Sequence, residues 1–125
     1  MRLLLDTNVL LWTLAGDPRV EHLQARIVDD DNEVYVSAAS FWEVAIKAGI
    51  GKLDVDVAQL REAARDSGYL ELPVLGAHTE HLAALPAIHK DPFDRMLVAQ
   101  ANAEPMRLLT SVQLLAQYGS NIEVV

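Results

Sequence analysis

The sequence predicts an α/β domain whose mainly parallel, five-stranded sheet is flanked by helices. Two patterns carry that prediction. Short apolar runs recur near residues 2–6, 34–37, 70–74, 107–110 and 122–124, and stretches of helical periodicity separate them. Strands that alternate with helices need crossover connections, which make the sheet parallel and cover both of its faces. At 125 residues the chain is one domain, 1–125, long enough to bury a core without cross-links.

Each helix has its own start and stop signals. A short one over about 8–15 ends at Gly16, and the next opens with Asp17 and Pro18 and carries the stripe Val20, Leu23, Ile27. Asp29-Asp30-Asp31-Asn32 is a solvated turn. Ser37 caps a helix that runs to the Gly49/Gly51 stop, and another covers about 57–67 before Gly68. Short helices are expected near 77–84 and 111–117. The helix starting at Pro92 runs to about Ala103, where Glu104-Pro105 ends it.

The hydrophobic fraction is 51%, and the formal charge of −8 argues against broad, non-specific nucleic-acid binding while suiting a basic protein partner. With no cysteine, disulfides, thiolate metal sites and a cysteine nucleophile are excluded. The N-terminus lacks the pattern of a signal peptide, and no segment approaches the eighteen or so apolar residues of a membrane span, so a cytoplasmic protein is expected.

Three carboxylates stand where apolar residues belong. Asp6 closes the strand Leu3-Leu4-Leu5, Glu43 interrupts the helix Ala39–Ile46, and Asp94 follows Asp91-Pro92-Phe93 in the first turn of a helix. Burying a carboxylate costs free energy unless something compensates it. A divalent ion does so, and an all-oxygen donor set selects a hard one, Mg²⁺ or Mn²⁺. Parallel sheets bind ligands beyond the carboxyl ends of their strands, and Asp6 points at that rim.

Simpler roles compete with each assignment. Asp6 or Asn8 could cap the helix that follows. Glu43 could pair with Lys47 at i,i+4, though a surface pair does not explain a Glu flanked by Phe41, Trp42, Val44 and Ile46. With Pro92 at the first helical position, Asp91 and Asp94 resemble a capping box, and capping alone could account for both. Yet a helix start at the rim is also where phosphate would be held. Lys47, Lys90 and Arg95 lie within a turn or a residue of these acids and could meet that phosphate. Gly49-Ile50-Gly51-Lys52 lacks the spacing of a phosphate loop. His78 and His81 have no further ligand to complete a zinc set and read as surface residues, while Trp12, Phe41 and Trp42 read as core.

Taken together, these segments resemble the PIN-domain ribonucleases, specifically the VapC-like toxins of bacterial toxin–antitoxin pairs. The carrying stretches are Leu3-Leu4-Leu5-Asp6-Thr7-Asn8-Val9-Leu10-Leu11-Trp12, then Ser37-Ala38-Ala39-Ser40-Phe41-Trp42-Glu43-Val44-Ala45-Ile46-Lys47 with Gly51-Lys52-Leu53. His89-Lys90-Asp91-Pro92-Phe93-Asp94-Arg95-Met96-Leu97-Val98-Ala99-Gln100-Ala101 completes the set, so the resemblance spans the chain in order. It implies a PIN-like three-layer fold and a Mg²⁺- or Mn²⁺-dependent endoribonuclease acting on RNA. It further implies a cognate antitoxin that covers the active site, and a toxin homodimer within a larger complex. Carried over by residue, it makes Asp6, Glu43 and Asp94 the metal-site acids and Asp91 an accessory catalytic acid. Thr110 matches a small polar residue at the end of the fourth strand, where it could contact phosphate.

One position departs from the family pattern. A further Asp usually follows that Thr, and here Val112 stands in its place. A second metal site is thereby in question. The alternative reading is a catalytically weakened PIN module that works mainly by binding its protein partner. A phosphatase of the haloacid-dehalogenase type would need a second Asp where Asn8 stands.

Overall fold

The computed structural model describes residues 1–125. Five strands, β1 (Arg2–Leu5), β2 (Glu33–Ser37), β3 (Leu70–Leu72), β4 (Arg107–Thr110) and β5 (Ile122–Val124), make one sheet in the order β3-β2-β1-β4-β5. Every neighbouring pair is parallel. The helices are α1 (Thr7–Ala15), α2 (Gln24–Val28), α3 (Ala38–Gly49), α4 (Val57–Asp66), α5 (Gly76–Ala83) and α6 (Pro92–Ala103).

Alternation along the strands divides the core between two faces. Leu3, Leu5, Val34 and Val36 pack with Val9, Leu10, Phe41, Val44, Leu60 and Ala64 from α1, α3 and α4. Leu4, Leu72, Leu108 and Ile122 pack with Leu97, Val98 and Ala101 of α6 and with Leu115. The result is three layers, with β1 buried on both sides: Leu3, Leu4 and Leu5 are each wholly shielded. The continuous apolar run of β1 is the sequence signature of such a central strand.

Several elements differ from their sequence expectation. The segment after Asp17 is a 3₁₀ stretch, Pro18–Leu23, kinked at Val20 (φ −119°, ψ 15°) before α2 begins. Strand β3 stops at Leu72 because Pro73 cannot donate to the ladder. After Thr110 the chain bends at Ser111, is extended at Val112 and then forms a 3₁₀ segment, Gln113–Tyr118. Trp42 is not core: it is 63% exposed and lies edge-on to Phe93, because the helical step turns Phe41 and Val44 inward and position 42 outward. His78 is not a surface residue either. It is wholly buried, with Nδ1 accepting from the Leu75 amide and Nε2 donating to Glu104, so both ring nitrogens are satisfied.

The strand order reverses direction across β1 and β4. At that switch point Asp6 leaves β1 and Thr110 ends β4, with the Asp6 amide still bonded to the Leu109 carbonyl at 2.9 Å.

Candidate active site

Three chain segments bring their acids to one cavity at this rim. It has a volume of about 200 Å³ and is lined by Asp6, Glu43, Asp91 and Asp94 together with Lys47, Thr7, Asn8 and Val112. A larger cleft of about 630 Å³ opens towards the amino ends of the strands, but its carboxylates, Asp29, Asp30 and Glu33, are exposed, whereas Asp6 and Glu43 are buried.

Asp6 both caps a helix and faces the cavity. Its Oδ1 accepts from the Val9 amide (2.8 Å) at the start of α1, while Oδ2 accepts from the Thr110 hydroxyl (2.6 Å) and the Ser111 amide (3.1 Å). The residue is 2% exposed. Burial raises its carboxyl pKa above the ordinary range; those three hydrogen bonds oppose the rise, and the Glu43 charge adds to it. Glu43 sits on the buried side of α3. The Thr7 hydroxyl donates to its Oε1 at 2.6 Å and the Lys47 ammonium donates to its Oε2 at 2.7 Å.

At the start of α6 the two aspartates separate their roles. Asp91 is the N-cap, its Oδ1 accepting from the amides of Phe93 and Asp94 at 2.9 and 3.0 Å. Asp94 does not complete a capping box. Its Oδ2 accepts from His89 Nε2 at 2.9 Å, and its carboxyl lines the cavity. Burial pushes the Asp94 pKa up to about 6, repulsion from Asp91 and Asp6 adding to the rise and the His89 hydrogen bond opposing it.

The basic and hydroxyl residues fare unevenly. Lys47 is in the cavity, and Lys90 is exposed beside the Asp91 cap. Arg95 is turned away: its guanidinium donates to the carbonyl of Pro86 (3.0 Å) and to the Tyr118 hydroxyl (3.1 Å), bracing the loop before α6. Thr110 is wholly buried against Asp6 and cannot reach a phosphate, so its role is to hold that carboxylate. Val112 lines the cavity and also packs against the α6 side of the core. Thr7 and His89 are site residues that sequence reasoning missed. Neither carries a local signal, since each acts through a partner set by the fold.

The donor set fits a hard divalent ion. The acids that line the cavity are all oxygen donors, and the two with raised pKa values are those whose charge a cation would relieve. No group of three forms a ready-made cage. Mg²⁺ does not require one, because it keeps several waters and is held through one or two carboxylates. Ser40, one turn before Glu43, has a buried hydroxyl without a partner but does not line the cavity.

A family model described as PIN domain matches residues 3–112. Among solved structures, the chain is similar to VapBC2 from Rickettsia felis bound to a DNA fragment from the promoter, with a TM-score of 0.73 and 16% identity over 100% of this chain and 98% of that one. DNA-bound VapBC from Salmonella typhimurium gives a TM-score of 0.70 at 16% identity, covering 100% of this chain and 97% of that one. A toxin–antitoxin complex from Klebsiella pneumoniae gives 0.66 at 19%, covering 98% and 96%. At these identities the likeness speaks for the fold. No curated protein matches the chain.

Proposed function

The chain belongs to the PIN domain family, and from that premise we propose that it is a metal-dependent endoribonuclease toxin of the VapC type, held inactive by a cognate antitoxin. PIN domains are in general nucleases. The observation that carries the reading is the convergence of Asp6, Glu43, Asp91 and Asp94, from three separate segments, on one cavity at the switch point of the sheet. Capping explains Asp91 and half of Asp6, but not the half-buried carboxyl of Asp94 or the buried one of Glu43.

Asp6 and Asp94 would hold Mg²⁺ or Mn²⁺, with Glu43 beside them. Such an ion supplies Lewis-acid polarisation of the scissile phosphate and acidifies the attacking water. Thr110 and the Ser111 amide fix the Asp6 carboxylate, and His89 fixes that of Asp94, as outer partners orient metal-site ligands generally. Glu43, held by Thr7 and Lys47, would orient that water or accept its proton. Lys47 at the mouth, and Lys90 outside it, supply positive charge for the RNA backbone.

The antitoxin part of the reading draws on the fold shared with the VapBC complexes and on the net charge of −8, which suits a basic segment at the acidic rim. A homodimer within the complex and a cytoplasmic setting go with that assignment; no helix is long and apolar enough to cross a membrane. The deciding assay is Mn²⁺-dependent cleavage of structured RNAs by the protein and by Asp94→Asn, with 5′ ends mapped. Cleavage by the parent alone is expected. RNA left intact by a folded parent that still binds antitoxin would instead favour the weakened, partner-binding module that Val112 suggests.

A further inference from the structure

Among the four acids of the cavity, Glu43 is paired with a lysine side chain. Lys47 Nζ lies 2.7 Å from Glu43 Oε2, one helical turn away on α3. The pairing joins unlike surroundings: the Lys47 side chain is 46% exposed and that of Glu43 only 8%. The stem thus reaches from solvent to put its ammonium against a buried carboxylate. Its other neighbours are acidic as well. The Glu43 hydrogen bond raises the Lys47 pKa, and the charges of Glu43, Asp91 and Asp94 add to that rise. Arg95 is committed to the loop before α6, so Lys47 is the cation that lines the cavity.

We propose that Lys47 is a tethered counter-ion of the acidic cavity, which a divalent ion must displace from Glu43 and which then serves the substrate phosphate at the cavity mouth. This rests on the metal-dependent reading of the site. An ammonium and a divalent ion repel, and both seek the oxygens of one small cavity. Lysine suits an exchange of this kind, being a strongly hydrated point charge on a flexible stem rather than a rigid fork. Thr7 carries no charge and can stay on Oε1, so Glu43 keeps its position while Oε2 is vacated. The metal-free site is partly neutralised by its own chain, and loading it frees a positive charge where RNA arrives.

The test follows the ammonium itself. In ¹⁵N-labelled protein the Lys47 NH₃⁺ resonance, assigned through its loss in Lys47→Met, should be visible without metal and should vanish or move to the solvent-exchanging position at saturating Mg²⁺. Calorimetry should show Mg²⁺ bound about two- to tenfold more tightly by Lys47→Met, the range expected for removing a partly exposed pair. Lys52→Met, which removes an exposed lysine beyond the end of α3, serves as the control for net charge and should stay near the parent. If Mg²⁺ binds the parent but the Lys47 resonance is unmoved, or both variants shift affinity equally, Lys47 is only a helix-surface pair and the proposal is overturned. If Mg²⁺ gives neither heat nor a melting shift in the parent or in Lys47→Met, the metal reading of the site falls, and this proposal with it.

Discussion

Asp94→Asn asks whether the fold holds a carboxylate against that group's own preference. The Asp94 side chain is 17% exposed. Burial, with Asp91 and Asp6 as repelling neighbours, pushes its pKa from 3.8 up to about 6 despite the hydrogen bond from His89. A folded-state pKa above the unfolded one means that the folded protein holds the proton more tightly. Its contribution to stability is therefore complete below the unfolded value of 3.8 and is lost as pH rises through about 6. At about 1.36 kcal/mol per pKa unit the loss is roughly 2–3 kcal/mol. Asn keeps the shape, and its amide oxygen can still accept from His89, but it carries no charge. In EDTA, the stability of Asp94→Asn relative to the parent should rise by roughly 2–3 kcal/mol between about pH 4 and pH 7.5.

Urea unfolding followed by tryptophan fluorescence reads this difference, since Trp12 packs against the core and will report its loss. Comparing the two proteins at both pH values cancels the packing cost of Asn, which does not titrate. Mg²⁺ should then offset most of that difference. The parent gains about 2.7 kcal/mol at a hundredfold excess over the dissociation constant, while the variant gains little. A stability gap that stays constant with pH would show that Asp94 carries no desolvated charge, and the argument for its role as a ligand would lose its physical basis.

Asp6→Asn should behave in the opposite way in EDTA. Its Oδ2 accepts from both Thr110 and the Ser111 amide, so an amide nitrogen there leaves a donor facing a donor and should lower stability by about 1–3 kcal/mol in the same urea experiment. Asp91→Asn should keep measurable RNA cleavage because Asn caps as well as Asp, whereas Asp91→Ala should lose about 1 kcal/mol in a thermal melt through the amides of Phe93 and Asp94. Val112→Asp should lower the Mn²⁺ concentration for half-maximal cleavage and lower the melting temperature in EDTA, since position 112 faces the acids. Destabilisation that is equal with and without metal would mean that its packing against the α6 side of the core dominates.

The fold was legible because each strand carries its own signal. The run Leu3-Leu4-Leu5 needs cover on both sides, and Ser37, Gly68, Asp91 and Glu104-Pro105 mark helix ends that the structure keeps. The acids were legible for a related reason: a carboxylate inside an apolar segment is visible without any knowledge of its partner. Their partners were not. Thr7 meets Glu43 across 36 residues and Thr110 meets Asp6 across 104. A threonine can pack almost anywhere, so only the packing of α1 beside α3 and the pairing of β1 with β4 single these two out. The family resemblance makes Thr110 a possible phosphate contact, yet its buried hydroxyl donates inward to Asp6.

Trp42 and Arg95 were misread for one shared reason, and it bears on how the site works. Both were placed by their neighbours in sequence, Trp42 by Phe41 and Arg95 by Asp94. On a helix, adjacent residues point about 100° apart, so i,i+1 neighbours do not share a face, whereas i,i+4 neighbours do. That geometry sends Arg95 to the loop carbonyls and Tyr118 while its neighbour Asp94 faces the cavity. It also places Lys47, four residues past Glu43, directly against the buried carboxylate. The cation of this site is therefore set by helical phase and not by nearness in sequence. A lysine at position 45 or 48 would point away from that face and leave Glu43 with only the Thr7 hydroxyl for a partner.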